Sequence, residues 1–76
     1  MTTEDRDRVL EIIADGLHIT KEELQPQKLI REDLGGDSLD VIEIVMNIEK
    51  EFNIVIGDEL YDSLKTVDDL LNLIEK

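Results

Sequence analysis

Ser38 is the side chain best placed for covalent chemistry. It lies in the stretch Gly35-Gly36-Asp37-Ser38-Leu39-Asp40, where a loop gives way to the longest and most apolar helical pattern in the chain. Two glycines free the backbone just upstream. Asp37 is suited to the N-cap, its carboxylate accepting N–H groups that have no partner in the first turn. Asp40 adds negative charge where the helix dipole favours it. Ser38 then occupies the first helical position with its hydroxyl pointing out, and an anion attached to that oxygen is stabilised there. A serine acting as a nucleophile in its own right needs a base. His18 is the only histidine and sits outside any recognisable motif, which disfavours a catalytic Ser38. His18 also lacks a cysteine or second histidine to complete a metal site, so it is expected at the surface. There is no cysteine; any thiol the function needs must be attached to the chain. The many acids suggest calcium, but no loop has acids at alternate positions with a glycine and a closing glutamate. Diffuse, weak divalent binding to the acidic surface is all they predict.

The elements that position Ser38 follow from periodicity and capping signals. Thr2-Thr3-Glu4-Asp5 opens a first helix over about residues 4–15, with Val9, Ile12, Ile13 and Leu17 on its buried face and Gly16 ending it in a left-handed conformation. Residues 17–37 form a long connection. Thr20 and Glu23 make a capping pattern for one helical turn, which Pro26 stops. Leu24, Leu29, Ile30 and Leu34 give this connection apolar anchors, so it is expected to fold across the helices. The central helix runs from about Ser38 to Phe52. A short third helix, about residues 59–64, is capped by Asp58, and Thr66-Val67-Asp68-Asp69 opens a last helix over about residues 67–75. In the last helix Val67, Leu70, Leu71 and Ile74 form the buried stripe, and Leu73 lies off it. The fold class is therefore all-α: a small bundle of three main helices plus one short helix, with a long loop between the first two.

On the central helix, Val41, Ile44, Val45, Ile48 and Phe52 fall in one stripe that reads as the core face. Leu39, Ile42 and Met46 form a second apolar stripe, roughly a third of a turn away. Asp40, Glu43, Asn47, Lys50 and Glu51 hold most of the remaining surface, and Glu49 lies between the two apolar stripes. The second stripe has two readings: buried against the first helix or the long loop, or exposed as a docking patch rimmed by acids. Periodicity alone favours burial.

The run Asp37-Ser38-Leu39-Asp40 followed by Glu43, Met46 and Phe52, in an acidic chain of this length, resembles the attachment region of acyl carrier proteins. The likeness extends over essentially the whole chain. In that family the serine of an Asp-Ser-Leu triplet opens the second helix and carries 4'-phosphopantetheine. The resemblance implies that Ser38 is the attachment point, flanked by Asp37 and Leu39 as cofactor-binding neighbours. It reverses the burial reading of the second stripe. Leu39, Ile42 and Met46 become an exposed docking patch, with Asp37, Asp40, Glu43 and Glu49 meeting Arg and Lys of partner enzymes. It further implies an acyl cavity between helices, lined by Val41, Ile44, Val45, Ile56, Tyr61 and Leu64. Three positions depart from the family. Lys50 stands where acids are usual, Gly57 where proline is common, and Tyr61 where a smaller residue is common. The tyrosine ring is expected to narrow the cavity.

The function implied is a carrier and not an enzyme. A phosphopantetheinyl transferase loads Ser38 from coenzyme A, and the arm's thiol holds acyl groups as thioesters. Fatty acid biosynthesis is the default pathway; a specialised carrier for polyketide, peptide, aminoacyl or lipid-modifying enzymes is the alternative. An unmodified acidic interaction protein shares every surface feature and differs only in Ser38 being left bare.

The totals agree with this. The chain has 76 residues, the size of one domain, and is expected to be a single carrier domain over residues 1–76 working as a monomer. Phe52 and Tyr61 are its only aromatics, so the core must be aliphatic. The net charge of −12, from 20 acids against 8 bases, disfavours nucleic acid and anionic lipid and favours basic protein surfaces. The N-terminus has no apolar core of a signal peptide, and no apolar run is long enough to span a bilayer, so a cytoplasmic setting without membrane insertion is expected. Crowded carboxylates repel one another in the compact state. Added salt or Mg²⁺ should therefore raise the melting temperature; a midpoint that stays flat or falls across a salt titration would contradict this.

Overall fold

The computed structural model describes residues 2–74. Helix α1 spans Thr3–Leu17, α2 spans Ser38–Phe52 and α3 spans Val67–Leu71, with 3-10 turns at Lys21–Glu23, Asp58–Ser63 and Asn72–Ile74. Among the described residues there is no strand, only an isolated antiparallel bridge between Leu29 and Thr66. The all-α expectation holds.

Thr2 caps α1, its hydroxyl accepting the Asp5 N–H at 3.1 Å. Val9, Ile12, Ile13 and Leu17 are buried as the spacing predicts, together with Ala14. The helix does not stop at Gly16. It continues to Leu17, and His18 takes the left-handed conformation at φ 60°, ψ 42°. The Ile19 N–H reaches back to the Ala14 carbonyl at 3.0 Å, the bond pattern of a Schellman cap. Gly16 has a different reason to be glycine. A Cβ there would lie 2.6 Å from Cγ1 of Ile44, so α2 crosses α1 where only a hydrogen fits. A glycine inside a helix costs about 1 kcal/mol against alanine. Full burial of Ile44 returns about 1.5–3 kcal/mol, which makes the close crossing favourable.

Helix α2 has the expected bounds. Val41, Ile44, Val45 and Ile48 are buried, while Phe52, the last residue of the stripe, is half-buried. Asn53 ends the helix in the left-handed region at φ 55°. The Ile54 N–H closes onto the Glu49 carbonyl at 3.1 Å.

The long connection folds across the helices through its backbone. Ile30 N–H donates to the Lys65 carbonyl at 2.9 Å, Val67 N–H to Lys28 at 3.1 Å and Asp68 N–H to Pro26 at 3.0 Å. The start of α3 is thus stapled to the loop that precedes α2. The turn at Lys21–Glu23 is held by Glu23, whose carboxylate accepts the Thr20 N–H at 3.1 Å. Leu24 and Ile30 are buried; Leu29 and Leu34 are half-buried. Gly35 takes φ +76°, and Gly36 is buried with its N–H on the Ile30 carbonyl at 2.9 Å. A Cβ on Gly36 would lie 2.6 Å from Leu17 Cδ2 and 3.3 Å from the Ile30 carbonyl oxygen.

The short third helix is a 3-10 stretch, Asp58–Ser63, and the cap position falls on Gly57, not on Asp58 as the sequence suggests. The stretch begins one residue early because the Leu60 N–H bonds the Gly57 carbonyl at 3.1 Å. The last helix is α-helical only to Leu71 and then tightens to 3-10. This change of pitch removes Ile74 from the stripe. Val67, Leu70 and Leu71 are fully buried, but Ile74 is half-buried like Leu73. The expected extension to residue 75 lies outside the described residues.

Two glycine substitutions should act in opposite directions. Gly36→Ala should lower stability by about 1–3 kcal/mol, because the methyl overpacks Leu17 and the Ile30 backbone. Gly57 already holds φ −69°, the value proline imposes. A Cβ there would meet only the Glu59 carboxylate, the far end of a flexible side chain that can swing aside, so Gly57→Pro should raise stability by about 0.4–1 kcal/mol through the unfolded chain. Urea midpoints of both variants check the pair.

Candidate functional site

The start of α2 is built by a reciprocal cap. The Asp37 carboxylate accepts the Asp40 N–H at 2.9 Å, and the Asp40 carboxylate accepts the Asp37 N–H at 3.1 Å. Two unpartnered donors of the first turn are satisfied without Ser38. Ser38 is exposed at the first position of α2. Its hydroxyl makes no hydrogen bond among the described residues. His18 is exposed as well and is bonded through its backbone as the cap of α1.

A cleft of about 430 Å³ opens beside Ser38. Its wall on α2 is Ser38, Val41 and Ile42, residues at i, i+3 and i+4 that share one helix face. The opposite wall comes from Tyr61, Asp62, Leu64 and Lys65, and the rim on the loop side from Arg31 and Glu32. The Ile30–Lys65 backbone bond ties these last two walls together. Of the residues expected to line a cavity, Val41, Tyr61 and Leu64 do so. Ile44 and Val45 do not: they are fully buried, with Ile44 turned onto Gly16 of α1. Ile56 lines a separate cleft of about 350 Å³ with Ile54, Leu60, Leu73 and Ile74. Leu64 belongs to both clefts.

The second apolar stripe of α2 is split. Leu39 is 68% exposed and Met46 46%, whereas Ile42 is half-buried in the cleft wall. Burial of the whole stripe, which periodicity alone favoured, does not occur. The acids divide in the same way. Glu43 is exposed and Asp40 half-buried in its cap. Glu49 is half-buried, with its carboxylate accepting the Ile56 N–H at 2.7 Å. Glu49 therefore holds the chain after α2 with both its carbonyl and its side chain, a role with no signal in the helical pattern. Lys50 is exposed. Arg8 links α1 to α2 through Glu51 at 3.1 Å and also meets Glu11 at 3.2 Å. These carboxylates hold the guanidinium pKa above its ordinary value, the hydrogen bond from Glu51 first.

The far wall of the cleft is fixed by Asp69. Its carboxylate accepts the N–H groups of Lys65 at 2.9 Å and Thr66 at 3.0 Å, and the Thr66 hydroxyl accepts the Asp69 N–H at 3.1 Å. Burial by itself would raise the Asp69 pKa. The Thr66 and Lys65 hydrogen bonds and the nearby Lys65 charge outweigh it and leave the carboxyl below its ordinary value. Among the described residues no group of three or more His, Cys, Asp or Glu is close enough to hold a metal ion, and no helix is long and apolar enough to cross a membrane.

With this geometry in view, comparison with known proteins gives a consistent picture. The family described as the phosphopantetheine attachment site matches residues 7–74. An acyl carrier protein of Porphyromonas gingivalis is 41% identical over 69 residues, covering 91% of this chain and 88% of its own length. One from Wolinella succinogenes is 42% identical over 69 residues, covering 91% of each. The chain belongs to the phosphopantetheine-binding acyl carrier family, and its cofactor is covalent 4'-phosphopantetheine. The site fits such a group. An exposed hydroxyl stands at the positive end of a helix, where a phosphate is favoured, and Arg31 and Lys65 stand on the adjoining cleft.

The depressed Asp69 pKa has a pH consequence. Its contribution to stability is complete above the unfolded value near 3.8 and is lost as pH falls through the lower folded value. Asp69→Ala should cost about 1–2 kcal/mol at neutral pH. The gap from wild type should close only below the ordinary carboxylate range, as read from urea midpoints at stepped pH. A gap that stays constant down to pH 2 would exclude the carboxylate as its source.

Proposed function

We propose that Ser38 carries the 4'-phosphopantetheine, that the chain is a single carrier domain over residues 1–76, and that it shuttles acyl intermediates among the enzymes of fatty acid biosynthesis. The observation that carries this reading is Ser38 itself, exposed at the first position of a capped helix, with a hydroxyl that makes no hydrogen bond among the described residues and a cleft alongside. A hydroxyl with no base of its own suits modification by a second protein. In that transfer the Ser38 Oγ bonds to phosphorus of coenzyme A, the adenosine bisphosphate leaves, and the hydroxyl proton passes to a base on the transferase. The attached thiol then holds acyl groups as thioesters.

Within the chain, Asp37 and Asp40 hold the helix start rigid around the attachment point. Leu39 and Met46 are exposed and apolar, with Glu43 exposed beside them. That combination supports docking to basic surfaces of the transferase and of acyl-transfer enzymes, the acids steering the encounter and the small apolar patch giving short-range grip. Glu49 is bonded to Ile56 and contributes to docking less than Glu43 does. The acidic surface supports work as a monomer in the cytoplasm, meeting each partner transiently.

Intact mass after incubation with coenzyme A and a broad-specificity phosphopantetheinyl transferase tests the reading. Wild type should gain one phosphopantetheine and Ser38→Ala none. No gain in either, from protein shown to be folded, would leave an unmodified acidic interaction protein.

A further inference from the structure

The two clefts differ in character. The one beside Ser38 is ringed by charged groups, Arg31, Glu32, Asp62 and Lys65, around a short apolar floor. The other has a mainly aliphatic wall of Ile54, Val55, Ile56, Leu60, Leu73 and Ile74, with Ser63, Asp69 and Asn72 at its edge, and does not include Ser38. Leu64 is buried and lines both, so the two clefts meet at this residue. Tyr61 stands beside Leu64 on the Ser38 side only. An alkyl chain entering from Ser38 gains stability only while it covers apolar surface. Beyond that floor it meets the tyrosine ring and the leucine, and further carbons turn back toward the charged rim or water.

We propose that the cleft beside Ser38 selects short acyl groups, including those with a polar substituent, and that Tyr61 and Leu64 are the residues that set this limit. The proposal rests on Ser38 bearing the arm. A hydroxyl on the acyl group is tolerated because the rim offers donors and acceptors of both signs, and an unpaired polar group would otherwise be costly. On this proposal the second cleft, beyond Leu64, stays closed to the cargo while both side chains are in place.

The test loads wild type, Tyr61→Ala and Leu64→Ala from acetyl-, butanoyl-, 3-hydroxybutanoyl-, octanoyl- and dodecanoyl-coenzyme A with the transferase, confirms each product by mass, and measures its melting temperature against the unacylated holo form. In wild type the midpoint should rise to butanoyl, be at least as high for 3-hydroxybutanoyl, and gain nothing further at octanoyl or dodecanoyl. In the variants the rise should continue to octanoyl or beyond. Tyr61 is only half-buried, so Tyr61→Ala carries the test if Leu64→Ala does not fold. A steady rise to dodecanoyl in wild type, a 3-hydroxybutanoyl form less stable than the butanoyl form, or the same plateau in Tyr61→Ala overturns the proposal. Absence of any mass gain overturns the carrier reading instead.

Discussion

The approach of Gly36 to Leu17 and Ile30 is the constraint on which the rest depends. No side chain fits there, and the Gly36 N–H is committed to the Ile30 carbonyl. One contact therefore joins the end of α1, the long loop and the residue just before the cap of α2. Asp37 follows immediately, and its reciprocal bonds with Asp40 set the first turn. From there Ile44 reaches the second close approach, at Gly16. The two helices are thus positioned by two missing methyl groups, one on α1 at Gly16 and one just before the cap of α2 at Gly36. Backbones brought this close leave no room to slide, because packed interiors do not deform continuously.

The acidic character of the chain is less of a burden than −12 suggests, because several carboxylates are occupied by backbone donors. Glu23, Asp33, Asp37, Asp40, Glu49 and Asp69 each accept a main-chain N–H. Hydrogen bonds to a charged acceptor contribute more than neutral ones. Among the described residues the three ion pairs between side chains are exposed and add little by comparison. A small domain with an aliphatic core gains much of its definition from such local clamps. Glu43 is exposed and makes none of these bonds, so a basic partner can find it.

Legibility in the sequence followed the range of the interaction. The bounds of α2 were readable because Asp37 caps it and its apolar stripe is long. The capping turns at Thr2, Thr20 and Thr66 were readable for the same local reason. Gly16 misled because a glycine near a helix end has two physical uses, a left-handed cap and a close crossing, and only the three-dimensional neighbour Ile44 distinguishes them. His18, a non-glycine in the left-handed region, gave no warning. The pairing of residues 26–30 with 65–68 is non-local and leaves no periodic trace. The cleft was only partly legible. Helical spacing placed Val41, Ile44 and Val45 on one stripe, but the stripe is wide enough to face two neighbours, and α1 takes Ile44.

On the proposed reading, with the arm on Ser38, the carrier must expose that hydroxyl and yet offer shelter close to it, and α2 meets both demands through its pitch. A residue pointing outward at the first position has its i+3 and i+4 neighbours on the same side. If those were also fully exposed, the arm would begin on a convex surface. Here Val41 is buried and Ile42 half-buried, because the chain around Tyr61 and Lys65 rises against them. Exposure thus changes to burial within a single turn, and the rise is supplied by the loop pairing that ends at Lys65. The long connection is therefore part of the site: it places Arg31 and Glu32 on the cleft rim, and its bond to Lys65 acts with the Asp69 clamp to hold the wall facing Ser38.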